Sequence, residues 1–100
     1  MSMDNRYPLK YGVLYVLCKE KREMSVEEVM EQLEPVFGTE KQFTKDNIRF
    51  HLDSFVCVDM AEAMNERFDD DGKVTADFKV TPFGEVRSVF LPDSWKADLA

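Results

Sequence analysis

Lys73-Val74-Thr75-Ala76-Asp77-Phe78-Lys79-Val80 alternates polar and apolar residues without a break, and the reading of the whole chain turns on it. A period of two puts successive side chains on opposite faces of a strand. Val74, Ala76, Phe78 and Val80 are therefore expected to face a core, and Lys73, Thr75, Asp77 and Lys79 to face solvent. A slip of one residue would exchange the two sets. Just upstream, Asp69-Asp70-Asp71-Gly72 reads as a turn in which Gly72 supplies a positive φ. Residues 62–68, before that turn, form a second extended stretch. Together they predict a β-hairpin.

Outside the hairpin the period becomes helical. Downstream, Thr81-Pro82 joins an N-cap to a first-turn proline and opens a last helix through Val86, Val89 and Phe90, which Pro92 ends. Upstream, Pro8 opens a helix from Leu9 to about Lys21. Its apolar stripe of Leu9, Val13, Val16 and Leu17, flanked by Tyr11, Leu14 and Tyr15, is wide enough to make it central. Ser25-Val26-Glu27-Glu28 is a capping box, in which the serine hydroxyl and the glutamate carboxylate each accept from the other's backbone N–H. Val26, Val29, Met30 and Leu33 follow at helical spacing, and Pro35 and Gly38 predict an end near Glu34. Thr44 caps a third helix, with Asp46 at the positive end of its dipole. Ile48, Leu52, Phe55 and Val56 form its buried stripe. Lys45, Arg49 and Asp53 fall opposite, with His51 near the edge.

The order helix, helix, helix, hairpin, helix resembles a winged helix-turn-helix domain, an α+β fold with three helices, a two-stranded wing and a C-terminal helix. Met24-Ser25 fits the short strand that precedes the second helix in that fold. Residues 48–63 are similar to the pattern in which a recognition helix runs through "HLxxL", turns at a glycine-like position and enters the first wing strand. Asp59 stands at that position, and Asp visits the left-handed region more readily than most residues. Phe78-Lys79-Val80-Thr81-Pro82-Phe83-Gly84-Glu85 resembles the "Y-x-L-T-x-x-G-x" that closes the wing of small PadR-like and MarR-like bacterial regulators. Two departures stand out. The connection over residues 35–43 is longer than a tight helix-turn-helix turn, and the wing tip carries aspartates where DNA-binding relatives often carry Arg or Lys. The resemblance implies a small bacterial or phage-type transcription regulator that inserts its third helix into the major groove of double-stranded DNA as a homodimer.

Length and composition bound the remaining choices. One hundred residues make one domain, 1–100, with an ordered core expected over about 8–91 and a fraying C-terminal tail. A hydrophobic content of 44% supports a core and argues against wholesale disorder. A net charge of −7 argues against coating nucleic acid by general phosphate attraction, though a local basic patch remains open. The longest apolar run, residues 13–18, is about a third of a bilayer span, and the start of the chain lacks a basic segment and cleavage site. No membrane role is expected, and the expected location is the cytoplasm. Cys18 and Cys57, in apolar runs without CxxC spacing, are expected to be buried free thiols there.

Chemistry is sparse. His51 is the only histidine, Ser25 and Ser54 have no evident base, and the four glycines form no phosphate loop. Asp69, Asp70 and Asp71 lack the later glutamate of a calcium loop. The row Tyr7, Tyr11, Tyr15 suits packing better than a ligand pocket. No catalysis, metal or cofactor is expected. The third helix offers more. Lys41, Gln42, Lys45, Asn47 and Arg49 are the candidate DNA contacts, since Asn, Gln and Arg read base edges and Lys and Arg meet phosphate. The candidate dimer surface is Val86, Val89, Phe90 and Trp95, although Trp95 is equally suited to packing back onto the core. Against DNA, residues 39–53 hold three basic and three acidic residues, and residues 61–80 hold three basic and six acidic. Two partners therefore stay open. One is double-stranded DNA. The other is a basic protein, met by a winged-helix adaptor or DNA-mimic-like inhibitor through an acidic wing.

Overall fold

The computed structural model describes residues 3–99. The elements run α1 (Leu9–Glu20), β1 (Met24–Ser25), α2 (Val26–Phe37), α3 (Lys45–Cys57), β2 (Ala61–Phe68), β3 (Val74–Val80) and α4 (Pro82–Arg87). A 3-10 turn (Ser88–Phe90), α5 (Asp93–Lys96) and a second 3-10 turn (Ala97–Leu99) follow. The result is an α+β fold whose three strands form one antiparallel sheet in the order β1-β3-β2. The helices and the sheet share one core, centred on Val13, Leu17, Val29, Leu33, Ile48, Leu52 and Phe78.

The capping box forms as read. Glu28 N donates to Ser25 Oγ at 3.1 Å, and Ser25 N donates to Glu28 Oε1 at 3.0 Å. Thr44 caps α3 by accepting from Asn47 N at 3.1 Å. Helix α2 does not stop near Glu34; it continues through Pro35 to Phe37. A proline in the last turn forfeits one backbone bond, and burying Phe37 outweighs that loss. Phe37 continues the buried series Val26, Val29, Leu33 and packs against Gly12 of α1. A Cβ at Gly12 would lie 2.7 Å from Phe37 Cε2, so the missing side chain sets how closely α1 and α2 approach.

The turn between α3 and β2 is held by the start of α4. Asp59 takes φ 64°, the left-handed value expected of it. Thr81 Oγ1 donates to Asp59 O at 2.6 Å and accepts from Gly84 N at 3.0 Å, while Thr81 N donates to Met60 O at 3.1 Å. Gly84 lies directly over Met60 O, where a Cβ would overlap that oxygen. The T-x-x-G spacing thus has a physical reason: the threonine caps the helix and the glycine lets it sit on the turn.

The hairpin departs from strict alternation. Ala76, Phe78 and Val80 are buried as expected, but Val74 is 58% exposed and Thr75 only 4%. The register runs Met64↔Asp77 and then Arg67↔Thr75, so β2 carries one extra residue, and Asn65 at φ 55° marks the bulge. A bulge bends its strand and sharpens the twist. Beyond it Val74 is carried past the edge of the core, while Thr75 turns into cover.

The described residues near both ends pack. Trp95 is 0% exposed, with edge-on contacts to Tyr7 and Tyr15 at centroid distances of 5.4 and 5.8 Å, and Tyr7 stacks on Tyr11. Tyr15 OH donates to Asp98 Oδ2 at 2.9 Å, and Met3 is buried. The packed region therefore extends past 8–91 in both directions. Of the tail expected to fray, Ala100 lies outside the described residues. Trp95, placed on a dimer surface by the sequence reading, belongs to the core because the tyrosine row supplies a ring-lined slot for it.

The Thr75 hydroxyl is buried without a hydrogen-bond partner among the described residues. Thr75→Val keeps the shape and removes that group, so it is expected to raise stability by about 1 kcal/mol. Equilibrium urea unfolding checks this; a lower midpoint would mean that the hydroxyl is satisfied.

Candidate functional site

Two surfaces hold the residues singled out in the sequence. The first joins the start of α3 to the hairpin tip. Arg49 Nη2 lies 2.7 Å from Asp69 Oδ2, and Arg49 Nη1 lies 3.1 Å from Asp46 Oδ1. Lys45 Nζ is 3.1 Å from Glu27, 3.4 Å from Asp69 and 3.9 Å from Asp71. Lys73 Nζ reaches both carboxylate oxygens of Asp46 at 3.0 Å. Three cations and four carboxylates thus form one cluster, with a formal charge of −1.

Asp69 is its hub. Its side chain is 2% exposed, and Oδ1 accepts from Asp71 N and Lys73 N, both at 2.9 Å. One oxygen builds the turn and the other receives the cations. The backbone N–H of Lys73, then that of Asp71 and then Lys45 hold its carboxyl below the ordinary range. Lys73, then Arg49, do the same for Asp46. Glu27 foremost, then Asp69, push Lys45 up.

The sequence reading placed Lys45 and Arg49 on a free solvent face. Arg49 is only 12% exposed in its side chain, and both residues are engaged by carboxylates. Hairpin return brings Asp69 to α3 from twenty positions away. Asn47 is half-buried and its Nδ2 donates to Gln42 O at 3.0 Å. Lys41 and Gln42 are exposed and outside the cluster.

The second surface is an apolar groove between α1, the end of α3 and the 3-10 turn after α4. One hollow of about 230 Å³ is floored by Leu14, Phe55 and Met60 and walled by Tyr11 and Phe90. An adjoining hollow of about 430 Å³ is bounded by Phe50, His51, Ser54 and Val58. Lys10 lines both, and Arg87 lines the first. Burial first, and then Lys10, push the His51 imidazole below its ordinary value. Phe90 is 64% exposed, and Val86 and Val89 are exposed beside it. The last helix, expected to run through all three, ends at Arg87, and Val89 and Phe90 lie in the 3-10 turn after it. The groove itself escaped the sequence reading because its walls come from three separate segments.

Other candidates resolve simply. Among the described residues no cluster of three or more His, Cys, Asp or Glu is arranged to hold a metal ion, and no helix is long and apolar enough to cross a membrane. Cys18 and Cys57 are both free. Cys18 is buried, and burial foremost pushes its thiol up to about 11. Cys57 is exposed rather than buried, because it falls off the Ile48, Leu52, Phe55 stripe at the end of α3.

Two outcomes follow. Alkylation of the native protein at pH 8 is expected to modify Cys57 alone, with Cys18 reacting only after denaturation, since only the thiolate reacts; mass spectrometry reads this directly. The second concerns acid. Depressed carboxyls stabilise the fold above their unfolded pKa and lose that contribution as pH falls through the folded value. Asp69→Asn keeps the Oδ1 acceptor and removes the charge. Its melting temperature is expected to fall below wild type near pH 7, with the two converging as the pH drops through the depressed folded value of Asp69. A difference independent of pH would mean that the charge of Asp69 contributes nothing. No protein-family model, curated protein sequence or solved structure matches the chain.

Proposed function

We propose that the chain is a winged-helix domain that contacts a basic protein partner through its acidic wing face instead of reading DNA. The order α1-β1-α2-α3-β2-β3, with β3 central in the sheet, supports the winged-helix reading. Fold alone does not assign a task, so the function rests on the site. The observation that carries it is the Asp69 cluster. Duplex binding draws most of its affinity from lysines and arginines that displace counterions from phosphate. Here Lys45 and Arg49 already face carboxylates at contact distance, and a phosphate would have to displace Asp69 from both. Beside the cluster Asp70 stays exposed, as does Asp71 within it, and Glu62 and Glu66 add exposed negative charge along β2. A cytoplasmic setting suits two free thiols.

The duplex-reading alternative rests on Lys41 and Gln42, which are exposed and clear of the cluster.

Binding to mixed genomic fragments across a salt series, run beside capture on the immobilised domain, separates the two. Wild type is expected to show no fragment binding at about 0.15 M salt, where screening reaches about 8 Å. Asp69→Asn is expected to gain salt-dependent fragment affinity by releasing Lys45 and Arg49. The pair Asp70→Asn and Asp71→Asn is expected to release a basic partner and slow its association. Wild-type fragment binding that disappears in Lys45→Ala with Arg49→Ala, or in Lys41→Ala with Gln42→Ala, would overturn the reading.

A further inference from the structure

The apolar groove shares no residue with the Asp69 cluster and stands independently of the wing-face reading. Its two hollows adjoin through Lys10, Phe55 and Met60, so they form one continuous trough. Phe50, Val58 and Phe90 stand exposed around it. Exposed apolar side chains grouped around a groove offer anchors for an apolar helix face.

Charge defines the occupant. The chain has 20 acidic residues against 13 basic ones, yet no carboxylate lines either hollow. The charged lining residues are Lys10 and Arg87, and neither is in an ion pair among those described. The Arg87 guanidinium lies over the rings of Phe90 and Phe83, at 4.6 and 5.7 Å from their centroids, which keeps its charge along the apolar wall. We propose that this trough binds an amphipathic helix of a partner protein whose apolar stripe is flanked by Asp or Glu. Neighbouring apolar side chains of one helix face fill the two hollows, and the flanking carboxylates meet Lys10 and Arg87. Helix-in-groove recognition uses anchors at such spacings. A second copy of this chain fits less well. Its trough also carries Lys10 and Arg87 and no carboxylate, so it offers no negative charge to meet them.

The test uses a synthetic helical peptide of about 16 residues with Leu on one face and Glu flanking it, and a counterpart with Lys for Glu. Calorimetric titration measures affinity, and the ring resonances of His51, the only histidine, report occupancy of the second hollow. The acidic peptide is expected to bind wild type and to shift those resonances. Lys10→Glu with Arg87→Glu is expected to weaken it by about tenfold or more and to admit the basic peptide. Phe90→Ser is expected to weaken binding while leaving the melting temperature in place, because that side chain is already exposed. Equal affinity for the two peptides, indifference to the charge reversal, or no binding of the acidic peptide at millimolar concentration overturns the proposal. So does a wild-type dimer, seen by sedimentation, that Phe90→Ser dissociates, since the occupant is then a second copy. The fragment and capture experiments read the other face, so neither result decides the other.

Discussion

The Thr81 hydroxyl sits where three parts of the chain meet. It ties the turn after α3, through Asp59 O, to the first turn of α4, through Gly84 N. Each bond contributes on the order of 1 kcal/mol net, far less than the burial of Leu17, Leu33, Leu52 and Phe78. Its importance is geometric. With Gly84 pressed on Met60 O, α4 leaves the sheet at one fixed angle, and Arg87 and Phe90 come to rest beside Phe55 and Met60. A larger residue at position 84 would lift α4 and open the trough. The groove is thus a product of a backbone contact that no side chain in its walls makes.

The charged face follows a different logic. Its pairs are at contact distance, well inside the screening length, so salt weakens them less than it weakens the attraction of a phosphate still on its approach. Asp69 belongs at once to the turn and to the cluster. Placing the hairpin tip therefore places the carboxylate against Lys45 and Arg49. The acidic hairpin tip is consequently also an internal counterion for α3.

Local chemistry was legible in the sequence. Ser25 with Glu28, Thr44, Thr81 before Pro82, and Asp59 in place of glycine each depend on neighbours within a few positions, and each takes its expected geometry. Features set by distant contacts were not legible. Phe37 holds α2 past Pro35 because Gly12, in another helix, leaves room for its ring. The bulge at Asn65 exchanges the environments of Val74 and Thr75, and alternation alone contains no sign of it. Trp95 reads as surface or core until Tyr7 and Tyr15 are seen to receive it. Of the candidate site, the residue types at Lys45 and Arg49 were legible, but their partners were not, since Asp69 arrives by hairpin return.

The bulge at Asn65 also bears on what happens when many copies are crowded together. Strand β2 is the long outer edge of the sheet, with unpaired backbone groups along one side. A flat edge of that kind invites another chain to add a strand, the first step toward aggregation. Here the left-handed Asn65 breaks the line of donors and acceptors midway, and Glu62, Glu66 and Arg67 keep ions along it. The irregularity that defeats simple alternation also interrupts this edge as a template for another strand.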